Sequence, residues 1–508
     1  MQYAFAIDQR TCIGCHACTV ACKTEHQVPL GQFRTWVKYI DKGEFPDTTR
    51  EFGVMRCNHC TDAPCVKICP TQALFKRDDG IVDFDNSRCI GCRSCMQACP
   101  YDAIYIDEDT NTAAKCNFCA HRIDQGLEPA CVVVCPTESI WVGDIDDLTS
   151  SLSRLVRTTE TQVRSPEQNT GPNVFYVGAD RAVLDPLAAP VDDTYLWATP
   201  DAHRREVAAD LPRDPVTDAR TTLNTAHPRP WGWQVTAYLW TKGWAAGVVL
   251  VTALAMALGF GTGAVGDWVA PVVGLVGTAV TGALLVGELK RPERFWFIFL
   301  KPNPTSWLMR AGWIMVAFSG LTVLWLGASY LGATAPRAWI IGLSAVAAVL
   351  LAGYSAFLFG QAEGRDLWQS PLLFWHLLVQ AVMVGSGVLV LTETVVSTET
   401  ALRPWTIRVL AVSTAVHLLM LLVEYSGRHA SRNAAAAAHM IVRGRYARTF
   451  WLGGVGLACL ALVLAATGWS ATSGPGLWLA AVAGALVQGA LLAYESVFVR
   501  AAQDVPLS

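Results

Sequence analysis

Sixteen of the 17 cysteines fall into four sets of four: Cys12, Cys15, Cys18, Cys22; Cys57, Cys60, Cys65, Cys69; Cys89, Cys92, Cys95, Cys99; and Cys116, Cys119, Cys131, Cys135. The first and third sets have the C-x2-C-x2-C-x3-C spacing of bacterial ferredoxins, and Pro70, Pro100 and Pro136 follow the last cysteine of three sets. In that spacing three thiolates on a tight loop reach three corners of one iron-sulfur cubane, while the fourth, one turn along a short helix, faces a neighbouring cluster. Four sets imply four 4Fe-4S clusters. The spacing alone does not say which sets share a cluster.

Other uses of these cysteines fit worse. Cys12-Ile13-Gly14-Cys15-His16 matches the c-type haem attachment pattern, but the first set needs the same two cysteines and no other set has a trailing histidine. Zinc sites need pairs at finger-like separations and leave the third cysteine of each run unexplained. Disulfide scaffolds are short chains without this regular spacing. His59 and His121 lie near the sets without a place in the count and are expected to be supporting or surface residues. Cys459 lies in an apolar stretch and is expected to be a small buried hydrophobe.

The elements that carry these residues follow from composition. The 508 residues are 52% hydrophobic and only 16% charged, with a mean hydropathy of +0.32, so long apolar stretches are required rather than one large soluble core. Residues 1–230 hold 23 Lys/Arg against 32 Asp/Glu and 16 cysteines, whereas 231–508 hold 16 against 10 and only Cys459. The expected organisation is an iron-sulfur domain at 1–165, a connector at 166–230 rich in proline (Pro166, Pro172, Pro186, Pro190, Pro200, Pro212, Pro215, Pro228, Pro230), and a membrane domain at 231–508. Met1 to Arg10 has neither the basic nor the apolar region of a secretory signal, so the head is expected to have no export signal of its own; export together with a partner that carries one stays open.

Eight apolar runs are each long enough to cross ~30 Å of hydrocarbon, at about 234–260, 268–289, 311–332, 338–359, 372–394, 405–426, 449–469 and 476–498. They lack the polar faces of a soluble helical core. Trp231, Trp268, Trp296, Trp339, Trp405 and Trp451 lie near span ends, as in an interfacial aromatic belt. Loops on the head's face carry Lys290, Arg291, Arg294, Lys301, Arg310, Arg365, Arg428, Arg432, Arg443, Arg445 and Arg448, against Arg337, Arg403 and Arg408 opposite. The positive-inside rule then places the head in the cytoplasm, with docking of an acidic head as the rival explanation of the same charges.

Ionisable residues inside a membrane are costly unless paired or hydrated, which makes them functional candidates. Lys242, Glu288, His376 and Glu424 fall within about three turns of the head's face, with Glu495 at that edge. A site for a two-electron, two-proton carrier is expected near Tyr238, Lys242, Glu288 and His376, with snorkelling as the alternative for Lys242 and interfacial anchoring expected of Glu424 and Glu495. His417 is expected to be a packing residue. By helical rise His376 and His417 lie at different depths, so a bis-histidine haem is not expected.

Residues 1 to about 190 resemble the four-cluster electron-transfer subunits of the polysulfide, dimethyl sulfoxide and formate molybdoenzymes. That resemblance implies that outer sets exchange their fourth cysteines and inner sets do likewise: Cys12, Cys15, Cys18, Cys135; Cys116, Cys119, Cys131, Cys22; Cys57, Cys60, Cys65, Cys99; and Cys89, Cys92, Cys95, Cys69. The tail, through Pro230-Trp231-Gly232-Trp233, Tyr238-Leu239-Trp240-Thr241-Lys242-Gly243-Trp244, Leu289-Lys290-Arg291-Pro292-Glu293-Arg294-Phe295-Trp296 and Lys301-Pro302-Asn303-Pro304, resembles the polysulfide reductase membrane-subunit (NrfD/PsrC-like) family of haem-free, eight-helix quinone-binding anchors. Lys242 stands where many relatives have a small residue, so its role is not inherited.

The expected fold is thus an α+β ferredoxin-like iron-sulfur domain followed by an all-α eight-helix transmembrane bundle in the cell membrane. No nucleophile, P-loop or pterin-binding motif is present, so the catalytic centre is expected on another polypeptide. The resemblance implies the electron-transfer and anchor subunit of a molybdopterin oxidoreductase working with the menaquinone or ubiquinone pool. The same relay serving a nickel-iron hydrogenase, or an assembly similar to alternative complex III, is the alternative; no nucleic-acid partner is expected.

Overall fold

The computed structural model describes residues 1–191, 207, 210–211, 218–396 and 400–508. Its head is built on short sheets that leave the cysteine loops at their edges. Tyr3–Asp8, buried along nearly its whole length, pairs antiparallel with Ile140–Asp144 and parallel with Val174–Val177, and Thr161–Gln162 completes the sheet beyond Val174–Val177. A second sheet sets Thr35–Lys42 between Thr49–Arg56 and Ala219–Leu223. Two hairpins, Leu74–Lys76 with Val82–Phe84 and Ile104–Asp107 with Thr112–Lys115, flank the inner cysteine sets.

Each cysteine run turns into a short helix: Ala17–His26, Pro64–Ile68, Ser94–Ala98 and Ala130–Val133. The two ferredoxin-type loops repeat one backbone device. Gly14 and Gly91 have φ of 66° and 69°, and His16 and Arg93, just before each helix, have φ of 61° and 62°. Left-handed residues at those places reverse the chain tightly enough for three thiols to point at one centre.

The expected 166–230 connector gives way at both ends. Val174–Val177 is an inner strand of the first sheet and Ala219–Leu223 an edge strand of the second, because apolar β-branched residues between the prolines find ladder partners in the head. Pro200, Pro212 and Pro215 lie outside the described residues.

Among the described residues, eight helices are long and apolar enough to cross a membrane: Trp233–Ala257, Val265–Gly287, Trp307–Tyr330, Thr334–Gly360, Leu373–Thr392, Leu402–Ser426, Thr449–Thr467 and Pro475–Asp504. The first and fifth form the centre, with 72% and 67% of their apolar windows buried against 28% for the third and seventh. Small residues allow that centre to close. A Cβ on Gly385 would meet the Gly247 backbone at 2.2 Å, and one on Gly484 the Gly387 carbonyl oxygen at 2.5 Å; close backbone approach replaces the hydrophobic effect as the packing force between helices in lipid. Cys459, expected to be buried, is exposed on the outside of the bundle. Trp268, Trp296, Trp339 and Trp451 are exposed as a belt requires, but Trp231 is buried between head and bundle.

Candidate functional site at the head and membrane junction

The loops and helices of the head gather the sixteen cysteines into four groups. Cys12, Cys15, Cys18 and Cys135 line one cradle, and Cys69, Cys89, Cys92 and Cys95 another. Cys22 neighbours Cys116, Cys119 and Cys131, and Cys65 neighbours Cys57, Cys60 and Cys99. Each group takes three thiols from one sequence run and a fourth from another, the same exchange the resemblance implies. Four soft sulfur donors around an apolar-walled space fit an iron-sulfur cubane in number and chemistry.

Buried cations offset the charge of these groups. Arg56 is fully buried; its Nη1 donates to Cys131 Sγ at 3.2 Å and its guanidinium lies 4.5 Å over the Phe5 ring. Burial works against its charge, yet Cys131, Cys116 and Cys18 outweigh this and hold its pKa above the ordinary arginine value. Lys115, also buried, donates to the Val82 and Cys116 carbonyl oxygens. His59 is kept neutral by burial and by Lys115 and Arg56, and its Nδ1 accepts from the Val82 N–H at 3.1 Å.

The loops of the inner groups are held from the membrane side. Asn303 Nδ2 donates to the Cys69 carbonyl at 2.8 Å, Ser306 Oγ to that of Ile68 at 2.7 Å, Arg294 Nη1 to that of Cys89 at 3.0 Å and Trp231 Nε1 to that of Cys92 at 3.2 Å. The backbone N–H groups of Lys290 and Arg291 donate to Gly91 and Ile90. A Cβ on Gly91 would meet Lys290 Cβ at 2.6 Å, so this glycine permits both the turn and the contact. Gln97 joins the seam, bonding Gln503 at 2.6 Å and accepting from Arg365 Nε at 3.0 Å. The sequence does not mark Asn303, Ser306, Trp231 and Gln97 as site residues; the Pro230-Trp231-Gly232-Trp233 and Lys301-Pro302-Asn303-Pro304 signatures are the signals that could have found Trp231 and Asn303.

Directly below Cys92 a cavity of about 730 Å³ opens among the first three spans. Cys92, Ser94 and Trp231 form its head end, Tyr238 and Glu288 its polar wall, and residues such as Leu275, Met315 and Val316 its apolar depth. Glu288 is ion-paired with Arg93 and accepts from the Gly232 N–H at 3.2 Å. The cavity offers a long apolar slot with a few polar groups at its cluster end, the form expected of a site for an amphipathic small molecule.

Of the four expected carrier-site residues, Tyr238 and Glu288 line this cavity, and Lys242 and His376 do not. Lys242 does not snorkel: its Nζ donates to Ser355 Oγ at 2.7 Å and to the Ala352 carbonyl at 3.0 Å inside the bundle. His376 lies on the fifth span, 3.3 Å from Glu424 and 5.9 Å between ring centroids from His417. The two rings thus lie close together despite the offset in position counted along their helices. Glu424 and Glu495, expected at the interface, are also turned inward.

Two family models match: residues 49–145 a 4Fe-4S dicluster domain, and residues 221–497 polysulphide reductase, NrfD. The head is similar to a tetrathionate reductase subunit of Salmonella typhimurium, 46% identical over 190 residues, 37% of this sequence and 76% of that one. It is also similar to a component of the polysulfide reductase of Wolinella succinogenes, 37% identical over 187 residues, 36% and 98% of the two sequences. The thiosulfate reductase electron transfer subunit PhsB of Salmonella typhi is 42% identical over 178 residues, 34% and 91%.

Proposed function

This protein belongs to the polysulphide reductase NrfD family, joined here to an iron-sulfur electron-transfer head, and on that premise we propose that it passes electrons between a membrane quinone and a separate molybdopterin-containing catalytic subunit. The clusters would supply one-electron steps and the quinone, menaquinone or ubiquinone, two electrons coupled to two protons. The observation that carries this reading is the cavity whose wall includes both Cys92 and Tyr238, so that electron and carrier chemistry share a boundary. Cys69, Cys89, Cys92 and Cys95 would hold the cluster at the membrane. Cys57, Cys60, Cys65 and Cys99 would hold the next, then Cys22, Cys116, Cys119 and Cys131, and finally Cys12, Cys15, Cys18 and Cys135. Tyr238 and Glu288 orient the quinone headgroup, and the apolar slot receives its tail.

At the other end of the path Cys15 is exposed, and Ile13, Val20, Leu127, Val133 and Val134 are exposed around the outer groups. An apolar surface of this kind beside a redox centre suits a docked protein, and we assign it to the catalytic subunit. The relatives' names point to a sulfur oxyanion or polysulfide as that subunit's substrate. Gentle extraction of the complex from native membranes, followed by mass spectrometry of the stoichiometric partner, tests this directly. A large pterin-binding subunit is expected; a nickel-iron or multihaem cytochrome partner would replace the substrate side.

A further inference from the structure

Behind Tyr238 lies a run of buried polar side chains that the electron path does not use. Tyr238 and Lys242, one turn apart on the first span, both reach Ser355 on the fourth. Lys242 also lies 4.7 Å over the Tyr354 ring and interacts with the charge of Glu495 on the eighth span. The neighbour of Glu495, Tyr494, packs its ring 5.6 Å from His417 and 6.2 Å from His376, with Tyr425 beside it. His376 Nδ1 lies 3.3 Å from Glu424 Oε2, and Glu424 reaches Ser370, next to the exposed Gln369 on the head's face.

Among the described residues, Glu495 Oε2, His417 Nδ1 and His376 Nε2 are buried without hydrogen-bond partners, while Tyr494 and Tyr425 reach each other between them. Native interiors satisfy nearly all such groups, so a neighbouring set of exceptions calls for a function, and ionisable residues inside a membrane are functional candidates, proton relays among them. We propose that these side chains form a lateral proton relay, from Tyr238 at the cavity wall, through Lys242, Glu495, Tyr494, His417 and His376, to Glu424 and Ser370 at the head-side rim. The relay rests on the quinone reading of the cavity. For each quinol oxidised, two electrons pass one at a time to the clusters and two protons pass to the relay; quinone reduction reverses both flows. Proton exchange then occurs on the head's side of the membrane.

The test uses the full chain with its clusters, in nanodiscs, reduced by a soluble menaquinol analogue. Glu424→Gln is expected to slow cluster reduction by about a hundredfold, to raise the solvent isotope effect, and to be rescued by added imidazole, while analogue binding is unchanged. Unchanged rates, or slowing without rescue, would overturn the relay. Gly312→Trp, which fills the cavity away from the relay, separates the two readings: if it leaves quinol-driven reduction intact, the cavity assignment falls and the relay with it. Should Glu424→Gln fail to fold, the native chain alone decides. Electrochemical reduction of its quinone must produce a deuterium-sensitive carboxyl band in the infrared difference spectrum, and its absence would refute the proposal.

Discussion

Arg56 is the side chain whose removal isolates an electrostatic contribution most cleanly, since it donates to Cys131 Sγ and carries a permanent charge among the thiols of the two outer groups. Cluster potentials follow net charge and hydrogen bonds to sulfur. Arg56→Gln is expected to lower one cluster potential by tens of millivolts with iron content unchanged, as read by redox titration under electron paramagnetic resonance. Lys242→Ala removes the cation between Ser355 and Glu495; it should slow quinol-driven cluster reduction and leave iron content intact, and normal kinetics would remove Lys242 from the relay. At this scale the cysteines are legible in the sequence because ligand spacing is local. Tyr238 and Glu288 are legible because their distance from the head's face can be counted along a helix. Counting gives depth and not azimuth, and His376 lies beside Glu424 and Tyr494 rather than along the cavity wall.

The same distinction governs the elements. All eight spans are visible as apolar runs, but which of them form the centre depends on small residues whose partners are far away in sequence. Gly247 and Gly385 are separated by most of the bundle and meet backbone to backbone. Gly385→Val should force the first and fifth spans apart at a cost of about 1–3 kcal/mol, seen as a lower thermal midpoint in detergent; an unchanged midpoint would deny that contact its packing role. Trp231 reads as part of the aromatic belt because it opens the first span, and only the docked head reveals that its indole bonds the Cys92 carbonyl. Strand Val174–Val177 is hidden for a related reason, since four residues between prolines show no periodicity and gain their order from Tyr3–Asp8. We propose accordingly that the iron-sulfur unit extends past residue 165 to include both strands of the former connector.

For the whole molecule, the charged loops serve docking as well as orientation. Arg291, Arg294, Arg365 and Arg432 bond the head, so they are no longer independent topology signals. Lys290 and Arg445 also contact the head side, and Lys301, Arg310, Arg428, Arg443 and Arg448 still outnumber Arg337, Arg403 and Arg408. A cytoplasmic head therefore predicts that added protease cleaves the exposed segment around Phe45 in inverted vesicles and spares it in spheroplasts; the opposite pattern would place the head outside. The most direct test of the electron path is anaerobic mixing of the cluster-loaded full chain with a menaquinol analogue, following cluster absorbance in the native protein and in Cys92→Ser. The native clusters should be reduced within the mixing experiment, and the variant should lose quinol-driven reduction while its remaining clusters still accept electrons from dithionite. Reduction by quinol at the native rate without Cys92 would contradict an electron path that enters the head beneath this cysteine.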